Sequence, residues 1–182
     1  MSVGVGLIRG INVGTANSVK MSDLTWVFES VGFRDVTTLL RSGNVVFDAD
    51  GATGAHEAAM VEQALFDRCG SHARVLLLSA EDFARISFAN PLLEVADDHS
   101  KLVVTYLADA PSPASTEVPE PESIVPEVVV VGAEAVYQWC PLGISNSRLK
   151  PPFWRQFGPV ATARNWRTVL RLMAEIERRQ GR

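Results

Sequence analysis

Cysteine and histidine are scarce in this chain. It has two cysteines, Cys69 and Cys140, and three histidines, His56, His72 and His99, among 182 residues. Neither cysteine belongs to a Cys-x-x-Cys pair, which excludes the common structural zinc clusters. One disulfide at most does not make a stapled secreted scaffold, so both are read as free thiols in a reducing compartment. The histidines fall on a helix start, a turn and a loop, away from any strand-end nucleophile, and read as surface groups. The GxSxG, Walker A, HExxH and dinucleotide-binding fingerprints are missing as well; the glycines of "GVGLIRG" lack the GxGxxG spacing. Catalytic groups are thin, and nothing in the sequence points to a cofactor or a metal.

Long apolar runs are absent. No window approaches the run of about 18 apolar residues that a membrane span needs, and the N-terminus lacks the basic and apolar segments of a secretory leader. The expected location is the cytoplasm, with no membrane partner. Positive charge is in deficit: the net charge is −4 and the pI about 5.4. That balance argues against nucleic acid as a partner. The basic residues near the end, Arg178, Arg179 and Arg182, read as complements to a helix dipole.

What is present suffices for a core. Hydrophobic residues make up 47% and charged residues 21%, which is ordinary for a globular chain, and the length fits one domain or two small lobes. A first strand, Val3 to Arg9, leads into a loop reaching Lys20. "SDLTWVFESVGF" has helical spacing at Leu24, Val27, Phe28 and Val31, with Ser22 as candidate N-cap and Gly32 just past the end. Two β-rich runs, Val36 to Leu40 and Val45 to Asp48, flank Ser42, Gly43 and Asn44 as a hairpin. Ala55 to Cys69 is a helix closed by Gly70, and Ala73 to Ser79 is a strand. The order is βαββαβ.

The second half repeats that order. Glu81 to Phe88 is a connecting helix, and "KLVVTYLAD" is a strand. Residues 110–126 are rich in Pro, Ser and Glu and hold at most a short helix. "EVVVVG" and "EAVYQWC" form a hairpin around Gly132 and Ala133. "PPFWRQFG" is a short helix opened by prolines, "VATAR" is a strand, and "NWRTVLRLMAEIERR" is an amphipathic helix with Trp166, Val169, Leu170, Met173 and Ile176 on one side. The predicted fold is α+β: two tandem ferredoxin-like (βαββαβ) plait lobes with an extra C-terminal helix, residues 1–79 and 80–182. Consecutive apolar residues at Leu76 to Leu78 and Val128 to Val131 need cover on both sheet faces. That cover is either the other half or a second copy of the chain, a homodimer.

The topology gathers polar residues. In such a plait the first and second strands end on one rim, which collects Arg9, Gly10, Asn12, Arg41, Ser42 and Asn44. In the second half the third and fourth strands end together, which collects Ser145, Asn146, Ser147, Arg148, Lys150, Arg164 and Asn165. Arginine presents a planar fork matched to carboxylate or phosphate, and a helix N-terminus at Asn165 favours an anion. The leading expectation is a binding protein for a small anionic ligand in a cleft lined by Arg9, Gly10, Asn12, Arg41, Ser42, Asn44, Ser147, Arg148, Arg164 and Asn165. The plainer reading stays open beside it. Arg9 and Arg41 then fasten to Asp35, Asp48 or Asp50, Asn12 and Asn44 supply turn geometry, and Asn165 caps its helix. Two further classes remain open. One is a weak hydrolase or transferase using the same cations, which a pocket carboxylate, or Cys140 beside Arg148 or Lys150, would support; Cys140 otherwise reads as a buried inert thiol. The other is a protein or nucleic-acid interaction module presenting Tyr106, Tyr137 and Trp139. Trp26, Trp139, Trp154 and Trp166 otherwise read as core and interface residues.

The motifs "LIRGINVG", "RSGNVVFD", "ANP", "SNSRLK" and "TARNWRTV" resemble the bacterial domain-of-unknown-function 1697 family along nearly the whole chain. The resemblance implies a two-lobed α+β protein and brings no activity, substrate or cofactor. Its motif positions are Arg9, Gly10, Asn12, Gly14, Ser42, Gly43, Asn44, Arg164, Asn165 and Trp166. The chain departs from the family pattern where Thr15 and Ser18 replace a glycine and a basic residue, with Lys20 two positions on. It departs again where Asn146, Ser147, Arg148 and Leu149 stand in place of "RSKL".

Overall fold

The computed structural model describes residues 1–12, 18–51, 53–112 and 116–181; Gly14 and Thr15 lie outside them. Among the described residues are two four-stranded antiparallel sheets and six α-helices. The chain divides into two compact units, Met1–Ala84 with Arg171–Arg182, and Arg85–Leu170.

In the first unit the strands are β1 (Ser2–Arg9), β2 (Arg34–Leu39), β3 (Asn44–Ala49) and β4 (Arg74–Ser79), in the order β2-β3-β1-β4. Helix α1 (Met21–Ser30) follows β1, α2 (Ala55–Cys69) follows β3, and α3 (Ala80–Phe88) follows β4. Gly4 and Gly6 sit opposite Phe47 and Val45 in the register. Their missing side chains make room for rings: a Cβ on Gly4 would fall 2.5 Å from Phe47, and one on Gly6 2.7 Å from Phe28. Phe28, Phe33 and Phe47 fill that space, with Phe33 and Phe47 centroids 4.2 Å apart. Ile8, Val45, Val75 and Leu77 join them from the sheet, and Leu24, Val61 and Leu65 from α1 and α2.

The helix starts refine the sequence reading. α1 begins at Met21, not at Ser22, because the Leu24 N–H already bonds the Lys20 carbonyl at 3.0 Å, and no side chain caps the end. Gly32 has φ +103°, and Gly70, with φ +66°, closes α2 as expected. Ser79 Oγ accepts the Asp82 N–H at 3.0 Å and so opens α3.

In the second unit β5 (Leu102–Leu107), β6 (Val128–Val131), β7 (Ala135–Trp139) and β8 (Ala161–Asn165) run in the order β6-β7-β5-β8. Each sheet thus has the same order relative to its own first strand. Short helices α4 (Pro121–Ile124) and α5 (Pro151–Arg155) lie in the connections. Ile124, Leu149, Phe153 and Phe157 pack on Leu107, Val136 and Ala161.

Of the two apolar runs expected to be covered on both faces, Val128 to Val131 is not: Val128 is exposed and the other three are half-buried. Leu76 and Leu77 are adjacent, point to opposite faces, and are both buried, as is all of β5. Helix α6 (Trp166–Gln180) closes the described chain. Its buried stripe is Trp166, Val169, Leu172, Met173, Ile176 and Arg179, whereas Leu170, expected inside, is exposed. No helix among the described residues is long and apolar enough to cross a membrane.

Candidate functional site

The first rim is built by backbone geometry that only a few residue types adopt. Beyond β1, Gly10 and Asn12 have φ +90° and +55°; beyond β2, Leu40 and Gly43 have φ +60° and +77°. Strand β2 stops at Leu39, so Arg41 lies in the turn instead of ending the strand. Two bonds stitch the loops together. The Ile8 N–H donates to the Gly43 carbonyl at 2.8 Å, and Asn12 Nδ2 donates to the Arg41 carbonyl at 2.7 Å. Asn12 also donates to the Val19 carbonyl at 3.1 Å and accepts the Val19 N–H at 2.9 Å, which ties in the segment ahead of α1. Asn44 is fully buried and donates to the Leu39 carbonyl and to Ser42 Oγ, both at 3.0 Å. A Cβ on Gly43 would meet the Ile8 carbonyl at 3.0 Å, so "SGN" is a fitted turn as well as a flexible one.

Those contacts sort the predicted residues. Asn12, Gly43 and Asn44 hold the rim; Arg9, Gly10, Arg41 and Ser42 stand exposed on it. The carboxylates proposed as their alternative partners engage other arginines. Asp48 pairs with Arg179 at 3.0 Å, Asp35 with Arg179 at 3.7 Å, and Asp50 with Arg34. Arg9 and Arg74 are direct cross-strand partners. Arg74 pairs with Glu62 at 2.9 Å. Arg9 and Arg41 thus bring two exposed guanidinium groups to the rim of an acidic chain.

The second rim does not converge as predicted. Trp139 and Asn165 do end β7 and β8 beside the start of β5, but neighbouring residues of a strand face opposite ways. Arg164 turns to the face shared with Val104 and is buried, bonding Thr162 Oγ1 at 2.9 Å and the Ala163 carbonyl at 2.7 Å. Burial holds its guanidinium down to about 10, against an opposing pull from Tyr106. Asn165 turns the other way and caps α6, its Oδ1 accepting the Thr168 N–H at 3.0 Å. Ser147 is bound into a network in which buried Glu127 accepts from its hydroxyl at 2.9 Å, from Gln138 Nε2 at 2.8 Å, and from the Arg148 N–H. Ser145, Asn146, Arg148 and Lys150 are exposed. Arg164 is thus a core residue, Asn165 a cap and Ser147 a loop anchor.

Other candidates also change. All three histidines are exposed, as expected. Tyr106, Tyr137 and Trp139, named for base stacking, are buried, and Tyr106 Oη lies 2.6 Å from Ser87 Oγ. Trp26 is exposed, with the Arg68 guanidinium 4.8 Å over its ring. Cys140 fits the inert reading: it is fully buried, and its thiol is pushed up to about 12, chiefly by burial and secondarily by Glu127. It should resist a disulfide-exchange reagent in the native protein and react once denaturant is added. Full reaction of both cysteines without denaturant would contradict that assignment. Among the described residues no three or more His, Cys, Asp or Glu side chains cluster to hold a metal ion.

Sequence reasoning missed Arg179. Its guanidinium is 3% exposed and contacts Asp48 Oδ1 at 3.0 Å, Glu175 Oε1 at 2.9 Å, Thr37 Oγ1 at 2.8 Å, the Val46 carbonyl at 3.1 Å and the Asp35 carbonyl. Hydrogen bonds from Arg178 and, after the opposing effect of burial, from Arg179 hold the Glu175 carboxyl down to about 2.

A family model described as a protein of unknown function, DUF1697, matches residues 1–137. Among solved structures the chain is similar to the conserved bacterial protein SP0830 from Streptococcus pneumoniae. The TM-score is 0.65 and the identity 22%, over 96% of this chain and 98% of that one. At that identity the likeness concerns the fold. No match was found among curated proteins.

Proposed function

We propose a function for the first unit on the premise that the chain belongs to the DUF1697 family: it binds a small anion, a carboxylate or phosphate, at the rim formed by Arg9, Gly10, Arg41 and Ser42. The observation that carries this reading is the pair of bonds, Ile8 to Gly43 and Asn12 to Arg41, that lock two arginine-bearing loops side by side. A preformed rim spares a ligand the cost of ordering those loops. Each guanidinium contact with an anion contributes about 1.5–3 kcal/mol, and the exposed Gly10 backbone and Ser42 hydroxyl offer neutral groups beside them. Of the wider cleft expected from sequence, Asn12 and Asn44 serve as supports. Arg148 is exposed in the second unit. The same reading takes the two sheets as a duplicated ferredoxin-like plait working in the cytoplasm.

Titration calorimetry with inorganic phosphate and with citrate is the test. Arg9→Ala and Arg41→Ala should each weaken binding roughly tenfold to a hundredfold with melting temperature unchanged. Wild-type affinity in both variants would remove the proposal, and parallel loss of affinity and stability would make the arginines structural.

A further inference from the structure

A second feature lies in the other unit and is independent of the anion rim. Strand β6 is the edge of its sheet, with β7 as its neighbour among the described residues. Edge strands in soluble proteins are usually blunted by charge, proline or a bulge. This one is four valines, regularly paired to β7 from Val128↔Trp139 to Val131↔Val136. The Gly132 N–H donates to the Ala135 carbonyl at 2.8 Å, which sets the alternation of the ladder. Val128 and Val130 turn their backbone groups toward β7, so Val129 and Val131 turn theirs to the open edge.

Beside this edge is a groove of about 470 Å³ lined by Val118, Pro121, Ile124, Val125, Val128 and Val129, together with glutamates. Val118, Val125 and Val128 are exposed at 49%, 56% and 38%. Residues 117–127 carry Glu117, Glu120, Glu122 and Glu127 and no Lys or Arg. Glu127 is buried and engaged with Gln138 and Ser147, while the other three are exposed on the surface.

We infer that β6 and its groove take an extended, basic-flanked apolar peptide of a partner protein as a fifth strand. Main-chain bonds to Val129 and Val131 hold it, its alternate apolar side chains enter the groove, and the exposed glutamates meet its cations. A second copy of this chain would bring the same acidic segment and gain no charge complementarity.

Fluorescence anisotropy of the full chain with a labelled Lys-Val-Thr-Val-Thr-Val-Lys peptide tests this. Saturable binding that weakens with salt is expected. Val129→Pro, which removes an outward N–H and leaves the β7 ladder, should cost about tenfold, and Glu120→Lys combined with Glu122→Lys a similar factor. If Val129→Pro unfolds the protein, the same peptide N-methylated at alternate residues supplies the test, with loss of binding expected. Equal binding of a Glu-flanked peptide, or of the methylated one, would overturn the inference. So would a concentration-dependent dimer in sedimentation that ignores the peptide, which would assign the edge to a second copy.

Discussion

Arg179→Ala is expected to lower the unfolding free energy by about 3 kcal/mol, the low end of what removing one partner of a buried ion pair costs. The low end applies because Asp48 and Asp35 keep 25% and 47% side-chain exposure and recover water. The Val46 carbonyl, by contrast, loses a donor inside the sheet. For a chain of this length the loss corresponds to a fall in melting temperature of roughly 10 °C. Arg179→Lys keeps the charge but not the fork that reaches Asp48, Glu175 and Thr37 at once, so it should recover less than half. Chemical denaturation of the three proteins decides the matter. An alanine variant within about 0.5 kcal/mol of wild type, the range of ordinary surface changes, would mean that Arg179 is the helix-end cation the sequence suggested.

Gly4→Ala and Gly6→Ala should each destabilise by about 1–3 kcal/mol, the usual cost of overpacking a filled core. Chain entropy alone would favour alanine by about 0.4–1 kcal/mol, so the sign tests the packing. The new methyl groups would stand 2.5 Å from Phe47 and 2.7 Å from Phe28. Both rings are fully buried and pack at a tilt against each other and Phe33. Gly51→Ala is the control, because a Cβ there meets nothing within 4 Å and its φ is unremarkable. If all three variants melt alike, the two glycines are interchangeable with alanine and the ring-packing account fails.

The order of strands along the chain was readable because hairpin and helix signals alternate plainly; the two apolar runs were less reliable guides, since Leu76 and Leu77 are buried while Val128 to Val131 form a half-exposed sheet edge. What a side chain does at a strand end was much less readable. Arg164 and Asn165 are adjacent, both polar and both in one motif, yet strand pleat sends one into the core and the other to a helix cap. Asn12 and Asn44 looked like ligand groups because an amide suits a ligand and a backbone carbonyl equally well; their bonds to Arg41, Val19 and Leu39 appear only in three dimensions. Arg179 left a usable trace. It extends the spacing Val169, Leu172, Ile176 by three residues, so a charged group at the end of a core stripe signalled a buried ion pair. Leu170 misled in the opposite way, being apolar and one position off that stripe.

The central claim, an anion held between the loops after β1 and β2, is tested most directly by nitrogen–proton correlation NMR during titration with inorganic phosphate. The account predicts saturable shifts centred on the Gly10, Arg41 and Ser42 amides and the Arg9 and Arg41 side-chain Nε–H signals, abolished in Arg9→Ala/Arg41→Ala. Shifts that leave this rim untouched, or that persist unchanged in the double variant, would contradict it.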